Sequence, residues 1–296
     1  MNYITVADFA KKWGISERRV RVLCSEGQIP GAFNLGKVWN IPADAVKPKD
    51  NRFKHKKTVL VFGGYKAVGL EIVKQCLALD AVVYSLGEKP CEEPGVINLV
   101  CKSLDKNSII KALEGLEDLD VLFLYPSIYD PVSIDNLTEE MIDKTLELNV
   151  KACAYIMSAV AKKLRDSRGN VVVMSSSAGI NAEPASPLYC TSHAALIMLA
   201  KCAAISEAKY NVRVNTIAMG APDDAQTIKN YFSETEIVNM HRVAPMKNMI
   251  KNGDAADAAI YISGLTRQNV NKITGVVLPV DCGESIASGY AFEEVK

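Results

Sequence analysis

The sequence predicts an α/β protein whose main part is a doubly wound parallel sheet, preceded by a small basic helical module. From Thr58 onward, β-branched apolar runs alternate with amphipathic helical stretches, which is typical of a parallel sheet covered by helices on both faces. Charge divides the chain at the same place. Residues 1–57 contain 12 Lys and Arg against 5 Asp and Glu, and residues 58–296 contain 22 against 29. A basic head on an acidic body suggests that the head meets something anionic.

The first part of the chain has the pattern of two short helices followed by a hairpin. Residues 6–13 have helical apolar spacing, and Ser16 is a good N-cap for a second helix that Gly27 ends. Two extended runs, 32–35 and 38–41, flank Gly36 and Lys37 and indicate a tight hairpin. This is the outline of a winged helix-turn-helix domain over residues 1–49. Residues 50–57 are polar and basic without periodicity, as expected of a linker.

Residues 4–48 closely resemble the small DNA-binding modules related to excisionases and the MerR group. The resemblance implies that the second helix lies in the major groove of double-stranded DNA, while the hairpin touches the backbone. Arg18, Arg19 and Arg21 would then face the groove, and Lys37 would contact a phosphate. Such modules also serve as protein-docking units, which is the alternative interpretation.

The second part, residues 58–296, is expected to form one domain. Its first strand runs directly into a turn that contains Gly63, Gly64 and Gly69 and then into a helix. Such a turn lets backbone N–H groups and a helix N-terminus face a pyrophosphate. Strands are predicted at 58–62, 81–85, 121–124, 170–174, 212–217 and 275–279, and helices at 67–79, near 138–165 and near 187–209.

Several segments of this part resemble the short-chain dehydrogenase/reductase family over essentially all of residues 58–290. They are LNVKACAYIM, GNVVVMSSSAG, PLYCTSHAA, VRVNTIAMGAP and GVVLPVDCG, with Ser176 lying 13 residues before Tyr189 and Asn149 lying 27 before Ser176. The resemblance implies a Rossmann-type fold and NAD or NADP as cofactor. It also implies that Tyr189 is the acid/base, Ser176 orients the substrate oxygen and Asn149 fixes a water relay.

The chain departs from the family pattern at several places. The lysine expected four residues after the tyrosine is His193, which is shorter and mostly neutral at pH 7. Phe62 and Ala67 occupy the positions of the leading Thr and the middle Gly of the family's glycine motif. Tyr125 and Pro126 would fill part of the space beside the adenine ribose and nicotinamide. Glu88 weakly favours NAD over NADP. The candidate cofactor-binding residues are Gly63, Tyr65, Lys66, Val68, Gly69, Glu88, Ser127 and Gly220, with His193 as a fourth catalytic candidate.

Three functions remain open at this point. The first is an NAD(P)-dependent oxidoreductase that acts on a small carbonyl or alcohol and is fused to a DNA-binding module. The second is a DNA-binding transcriptional regulator whose degenerate Rossmann domain is a non-catalytic dimeriser or a nucleotide or metabolite sensor. The third is that both parts are protein-interaction modules. His193 is the residue that discriminates best between the first two.

The remaining sequence features concern cellular location, membrane association and oligomeric state. The eight cysteines show neither a C-x-x-C pair nor metal-ligand spacing, which suits a reducing cytoplasm and no metal site. The N-terminus lacks the pattern of a signal peptide, and no apolar run was expected to reach the roughly 20 residues of a membrane helix. A homodimer or homotetramer is expected to form through the helices near 138–165 and 187–209, since 194–200 is apolar almost all round.

Overall fold

The computed structural model describes residues 3–36, 38–47, 56–126, 128–183, 186–223, 232–266 and 270–287. The chain divides into two compact units, residues 1–55 and 56–296.

The first unit contains two helices and a three-stranded antiparallel sheet of order β1-β3-β2. The helices and hairpin lie where the sequence predicts them, whereas the two-residue strand β1 was not expected. A reciprocal capping box between Thr5 and Asp8 starts the first helix, and Gly14, in the left-handed conformation, ends it. The elements are β1 (Tyr3–Ile4), α1 (Val6–Trp13), α2 (Glu17–Ser25), β2 (Phe33–Leu35) and β3 (Val38–Pro42).

The second unit is built on a seven-stranded parallel sheet of order β10-β9-β8-β7-β4-β5-β6. Its strands are β4 (Thr58–Phe62), β5 (Val82–Gly87), β6 (Ile97–Val100), β7 (Val121–Leu124), β8 (Asn170–Ser176), β9 (Arg213–Met219) and β10 (Val277–Val280). Its helices are α3 (Ala67–Ala78), α4 (Lys106–Ala112), α5 (Glu139–Leu146), α6 (Cys153–Ser167), α7 (Pro187–Glu207), α8 (Glu234–Val243) and α9 (Asn252–Ser263), with short 3-10 turns at Ile134–Asn136, Ser177–Gly179, Ala208–Tyr210 and Glu284–Ile286.

This strand order confirms the Rossmann-type doubly wound sheet. From β4 the chain adds β5 and β6 on one side and β7 to β10 on the other. The connections after β4 and β7 therefore lead to opposite sides, which leaves a crevice between these two strands at their carboxyl ends. Each of the six predicted strands is present, with ends that differ by up to two residues. Edge strand β6 was not predicted. Two separate apolar cores cover the two faces of the sheet.

Two expectations about the helices need correction. The helix expected near 138–165 is interrupted by a widened π turn at Glu147–Ala152, which separates α5 from α6. Residues 187–210 form a helical segment that is long and apolar enough to pass a length-and-composition criterion for a membrane span, so the expectation that no run approaches that length was wrong. In the structure α7 packs on the sheet with Leu196, Ile197 and Ala200 buried, as a core helix does.

Candidate active site

In the turn after β4, Gly63 and Gly69 lie very close to neighbouring backbone carbonyl groups. Gly63 has φ +79° and donates its N–H to the carbonyl oxygen of Leu86 at 2.9 Å. A Cβ on Gly63 would overlap the carbonyl oxygen of Tyr125, and a Cβ on Gly69 would overlap that of Gly63. Both glycines are therefore required by the packing of the turn between β4, β7 and α3.

Ala67, the first residue of α3, has φ +43°. This is the left-handed region, which glycine adopts freely and alanine adopts at a cost. The residue before it, Lys66, provides no side-chain cap to the helix. The turn therefore keeps a glycine-type backbone at an alanine position, and its first helical N–H groups are not capped by Lys66.

The other predicted cofactor residues lie around this turn. The ring of Tyr65 covers Gly87 at the end of β5, and the Lys66 ammonium lies 5.5 Å from the centre of that ring. Burial lowers the pKa of Lys66, and the neighbouring Glu88 opposes that shift. A cavity of about 10 Å³, roughly one water molecule, remains among these residues and Tyr125.

The remaining three candidates have different positions. Val68 is fully buried in the core, so it has only its backbone to offer a ligand. Gly220 follows β9 and donates its N–H to the carbonyl oxygen of Val280 at 2.9 Å. Ser127 lies outside the described residues.

The predicted catalytic residues converge at the carboxyl end of β8. Ser176 is the last residue of β8, and its hydroxyl accepts the N–H of Ala178 at 3.1 Å. The same side chain hydrogen-bonds to the phenol of Tyr189 in the first turn of α7. Burial raises the pKa of Tyr189 well above its ordinary value, and the bond from Ser176 offsets only part of that rise.

His193 lies one turn further along α7 and is 2% exposed. Its ring centre is 4.2 Å from that of Tyr189, and its Nδ1 is 3.2 Å from the hydroxyl oxygen of Ser175. Nε2 has no hydrogen-bond partner among the described residues. Burial lowers the pKa of His193 to about 3, so the ring is neutral at pH 7.

Asn149 lies in the π turn and is completely buried. Its amide nitrogen donates to the hydroxyl of Ser192 at 3.0 Å, and its two amide atoms pair with the backbone of Ile128 at 3.4 Å. Ser192 in turn donates to the carbonyl oxygen of Tyr189 at 2.9 Å. The π turn therefore ties α7 to the loop after β7, next to the tyrosine.

Three aromatic residues that sequence reasoning did not assign to the catalytic cluster complete it. The rings of Tyr129 and Tyr189 meet edge to face at 4.9 Å, and Phe232 packs on Tyr129 at 5.6 Å. Tyr125 is buried and influences the ionisation of Tyr189. Tyr129 and Phe232 come from loops without regular spacing, so no sequence signal pointed to them.

An acidic wall, which we define as Glu183, Asp281 and Glu284, was also missed. Asp281 accepts backbone N–H groups of its own turn, and Glu183 accepts the hydroxyl of Ser186 at 3.0 Å. Glu284 lies against Gly220. Burial, together with Glu183 and Asp281, raises the pKa of Glu284 to about 7.

The candidate residues of the first unit form a separate group on α2. Arg18 is exposed and Arg19 is half-buried. Arg21 is paired with Glu17 at 2.7 Å, one turn earlier on the same helix. Lys37 lies outside the described residues.

The described residues of the second unit fit an NAD or NADP molecule mainly through their backbone. The left-handed turn at Ala67 and the N-terminus of α3 suit a pyrophosphate. The unpartnered Nε2 of His193 offers a buried polar contact beside Tyr189. Tyr65 and Tyr125 leave only about 10 Å³ beside the turn, so their rings have to move when a nucleotide binds there.

A glycine turn at the switch point of a doubly wound sheet, joined to a Ser–Tyr pair at the end of β8, defines a dinucleotide-dependent oxidoreductase site. The comparisons agree with that class. Residues 105–285 match the family model described as "Enoyl-(Acyl carrier protein) reductase". The human protein "Dehydrogenase/reductase SDR family member 4" is 31% identical over 212 residues, which are 69% of this chain and 74% of that protein.

Two further matches extend over nearly the whole of the proteins concerned. The L-xylulose reductase of Caenorhabditis elegans is 26% identical over 77% of this chain and 96% of its own length. The ligand-free structure of Thermoplasma acidophilum aldohexose dehydrogenase superposes with a TM-score of 0.73 and 20% identity over 81% of this chain and 98% of its own, which shows the fold alone. The chain belongs to the short-chain dehydrogenase/reductase family. Proteins of this family use NAD or NADP.

Proposed function

We propose that the second unit is an NAD(P)-dependent oxidoreductase that acts on a small carbonyl or alcohol. The observation that carries the proposal is the convergence of the Ser176 and Tyr189 hydroxyls at the end of β8. Two hydroxyls on one side of a crevice suit a single substrate oxygen, with Ser176 orienting it and Tyr189 exchanging a proton with it. When bound, the nicotinamide supplies or accepts the hydride.

The residues that would hold the nucleotide are those of the turn and its surroundings. Gly63, Ala67 and Gly69 shape the backbone that faces the pyrophosphate. Lys66 would attract a 2′-phosphate, whereas Glu88 would accept hydrogen bonds from a ribose diol. The two side chains interact with each other, so the choice between NAD and NADP depends on their balance.

Calorimetric titration of the full chain with NADH and NADPH tests this proposal, with His193→Lys measured alongside. We expect saturable binding of at least one nucleotide by the native chain, followed by its oxidation in a screen of small ketones and aldehydes. Failure of both proteins to bind either nucleotide would mean that the crevice is closed, and the oxidoreductase proposal would fall.

The alternative of a regulator with a non-catalytic body is not favoured. The relatives named above carry the names of enzymes, and the side chains of Ser176 and Tyr189 interact with each other.

Eight free cysteines, five of them buried, support the prediction that the protein works in a reducing cytoplasm.

We also propose that the first unit is a winged helix-turn-helix that binds double-stranded DNA. The helices α1 and α2 are joined by three residues, and a hairpin follows them. Arg21 is paired with Glu17 at 2.7 Å and would have to leave that partner to contact DNA. The remaining uses of such a fold, protein docking among them, become outcomes of the test.

The DNA proposal is tested by replacing Arg18, Arg19 and Arg21 with Ala together. Binding to duplex DNA should be salt-dependent and should weaken at least about 100-fold. A matched control removes three positive charges from the second unit, at Lys144, Lys162 and Lys163, and should leave the affinity almost unchanged. Equal loss in both triple variants would indicate a non-specific charge effect and count against the α2 interface.

Finally, we propose that the second units pair as a homodimer or homotetramer along α6 and α7. A groove of about 580 Å³ between these helices has a mainly apolar lining, including Met157, Leu199 and Ala203. Arg165 and Glu207 form a two-pronged ion pair at 2.6 and 2.7 Å at its edge. Sedimentation at micromolar concentration should give a multiple of 32.2 kDa, and Ala203→Arg should reduce it. A monomeric native chain would exclude this pairing.

A further inference from the structure

His193 is held against β8 by its contacts with Ser175. The Ser175 hydroxyl oxygen lies 3.2 Å from Nδ1 of His193 and 3.2 Å from the carbonyl oxygen of the same residue. The single hydroxyl proton of Ser175 can be donated to either of these acceptors, so the contacts hold the ring in place without fixing which nitrogen carries its proton. Nε2 has no hydrogen-bond partner among the described residues, so the ring donates no hydrogen bond to Tyr189 from that nitrogen. Burial keeps the imidazole neutral at pH 7.

This arrangement leaves Tyr189 without a positive neighbour on its own helix. His193 packs against the tyrosine ring at 4.2 Å but carries no charge, and its 2% exposure keeps water from stabilising one.

The described side chains that face Tyr189 from other elements are also neutral or acidic. Tyr125 and Tyr129 approach from the segment after β7, and Glu183 approaches from the segment between β8 and α7. Phe232 closes the aromatic stack over Tyr129. Among the described groups that influence Tyr189, the only one that favours the phenolate is the neutral hydroxyl of Ser176. A negative charge on this half-buried phenol would thus lie beside phenols and a carboxylate, and none of the described groups that influence it is a cation.

We propose that Tyr189 remains a protonated phenol across the neutral pH range and serves the reaction as a proton donor, so that the site is built for carbonyl reduction. This inference rests on the proposed oxidoreductase function and specifies its direction. In the reductive step the substrate carbon would gain the hydride that the reduced nicotinamide nucleotide of the proposed function supplies, leaving that nucleotide oxidised. The carbonyl oxygen gains the proton of the Tyr189 hydroxyl, and Tyr189 is left as a phenolate that recovers a proton from solvent. The sum is one hydride and one proton added to the carbonyl.

The same arrangement predicts how the two directions depend on pH. Reduction needs the phenol, which is already the main form, so its rate should stay flat between about pH 6 and 9. Alcohol oxidation needs the phenolate as base, so its rate should rise about tenfold per pH unit across the same range without a plateau. A tyrosine beside a permanent cation would instead give an oxidation plateau near neutral pH.

The direct test is an NMR titration of the full chain labelled with ¹³C at the tyrosine ζ carbons, with Tyr189→Phe used to assign the signal. We expect the Tyr189 signal to keep its phenol position up to at least about pH 9.5, while exposed tyrosines begin to ionise near their ordinary pKa of about 10. A midpoint for Tyr189 below about pH 9 would overturn the inference, whether or not any substrate is known.

A matched pair of variants separates charge from packing. His193→Lys places a cation beside the phenol and should move the Tyr189 midpoint downward by at least about one pH unit, whereas the neutral His193→Gln should not. An equal midpoint in these two folded variants would contradict the role given to the missing cation; if the lysine variant does not fold, the titration of the native chain still decides. Loss of nucleotide binding would remove the proposed function but would leave the tyrosine titration unchanged.

Discussion

The glycine turn after β4 and the catalytic cluster at the start of α7 have departed from the family pattern in opposite ways. In the turn, residue types have changed, with Phe62 and Ala67 at the motif positions, yet the backbone keeps a left-handed residue at Ala67 and close contacts at Gly63 and Gly69. In the cluster, Ser176, Tyr189 and Asn149 are kept, but the electrostatic surroundings of Tyr189 are neutral or acidic. The turn keeps its backbone geometry although its residue types have changed. The cluster keeps its Ser, Tyr and Asn, but a neutral histidine occupies its lysine position.

A match to a family motif therefore reports two unrelated properties: the backbone conformation of a turn and the electrostatic surroundings of a proton-transfer group. A turn is defined by φ and by the space available for a Cβ, so an unfavourable residue can occupy it at a modest cost. A proton-transfer group is defined by the free energy of its charged form, which depends on neighbours several residues away in the chain. A single Lys-to-His change therefore alters the cluster more than two changes alter the turn.

The largest effect should come from breaking the cluster with Tyr189→Phe. In the proposed mechanism the phenol gives its proton to the substrate oxygen, so its loss should lower the rate of carbonyl reduction by about 10²- to 10⁴-fold. Stopped-flow or steady-state oxidation of the bound nucleotide measures this, with calorimetry to confirm that nucleotide affinity is kept. Tyr261→Phe, which removes a phenol hydroxyl at an exposed position on α9, is the control and should retain most of the rate.

The second effect is the geometric counterpart, Gly69→Ala. The new Cβ would overlap the carbonyl oxygen of Gly63 and press on the Tyr125 ring, so the turn or α3 must shift. We expect a loss of roughly 1–3 kcal/mol in the free energy of unfolding, measured by urea denaturation. Gly115→Ala is the matched control, since nothing lies within 4 Å of its added Cβ. A similar loss in both variants would show that the turn has no special packing.

The acidic wall provides a third effect, on the pH dependence of stability. The pKa of Glu284 is raised to about 7 in the folded protein, so the native state binds its proton more tightly than the unfolded chain. Stability therefore falls as pH rises from about 4.5 to 7 and is level above that range as far as this group is concerned. The loss should be about 1–2 kcal/mol after allowance for partial exposure.

Urea denaturation at a series of pH values tests this expectation with Glu284→Gln, which should remove the decline attributed to this residue. Glu117→Gln, at an exposed position, should leave the native pH profile as it is. A profile for Glu284→Gln that declines as steeply as that of the native chain would mean that Glu284 ionises normally.

Much of the fold could be predicted from sequence because buried parallel strands are continuous apolar runs, as in β4 and β7. The edge strand β6 escaped because Ile97 and Val100 are more than 40% exposed and the run is only four residues long. The π turn at Asn149 also escaped, since no Gly or Pro interrupts the helical pattern there and the widening depends on contacts with Ser192 and Ile128.

The candidate site divides in the same way. The positions of Ser176, Tyr189 and Asn149 follow from spacing along the chain, and the structure brings them together. The direction of the His193 ring does not follow from spacing. It depends on Ser175, a residue buried in β8 whose hydroxyl pairs with both the ring and the backbone of His193. Sequence identifies which residue replaced the lysine, but the state of that residue is set by tertiary contacts.

The smallest effect, and the one that tests the turn most cleanly, is Ala67→Gly. An L-residue in the left-handed region costs roughly 1–2 kcal/mol, and the greater freedom of glycine in the unfolded chain offsets roughly 0.5–1 kcal/mol of the relief. The net gain in stability should be about 0.5–1 kcal/mol, seen as a small rise in the urea midpoint with an unchanged slope. Asn211→Gly, at φ +60° in a residue type that tolerates this region, is the control and should change less. If Ala67→Gly destabilised the protein, the methyl group of Ala67 would have to be contributing packing that outweighs its strain, and the turn could no longer be regarded as a glycine turn that has lost its glycine.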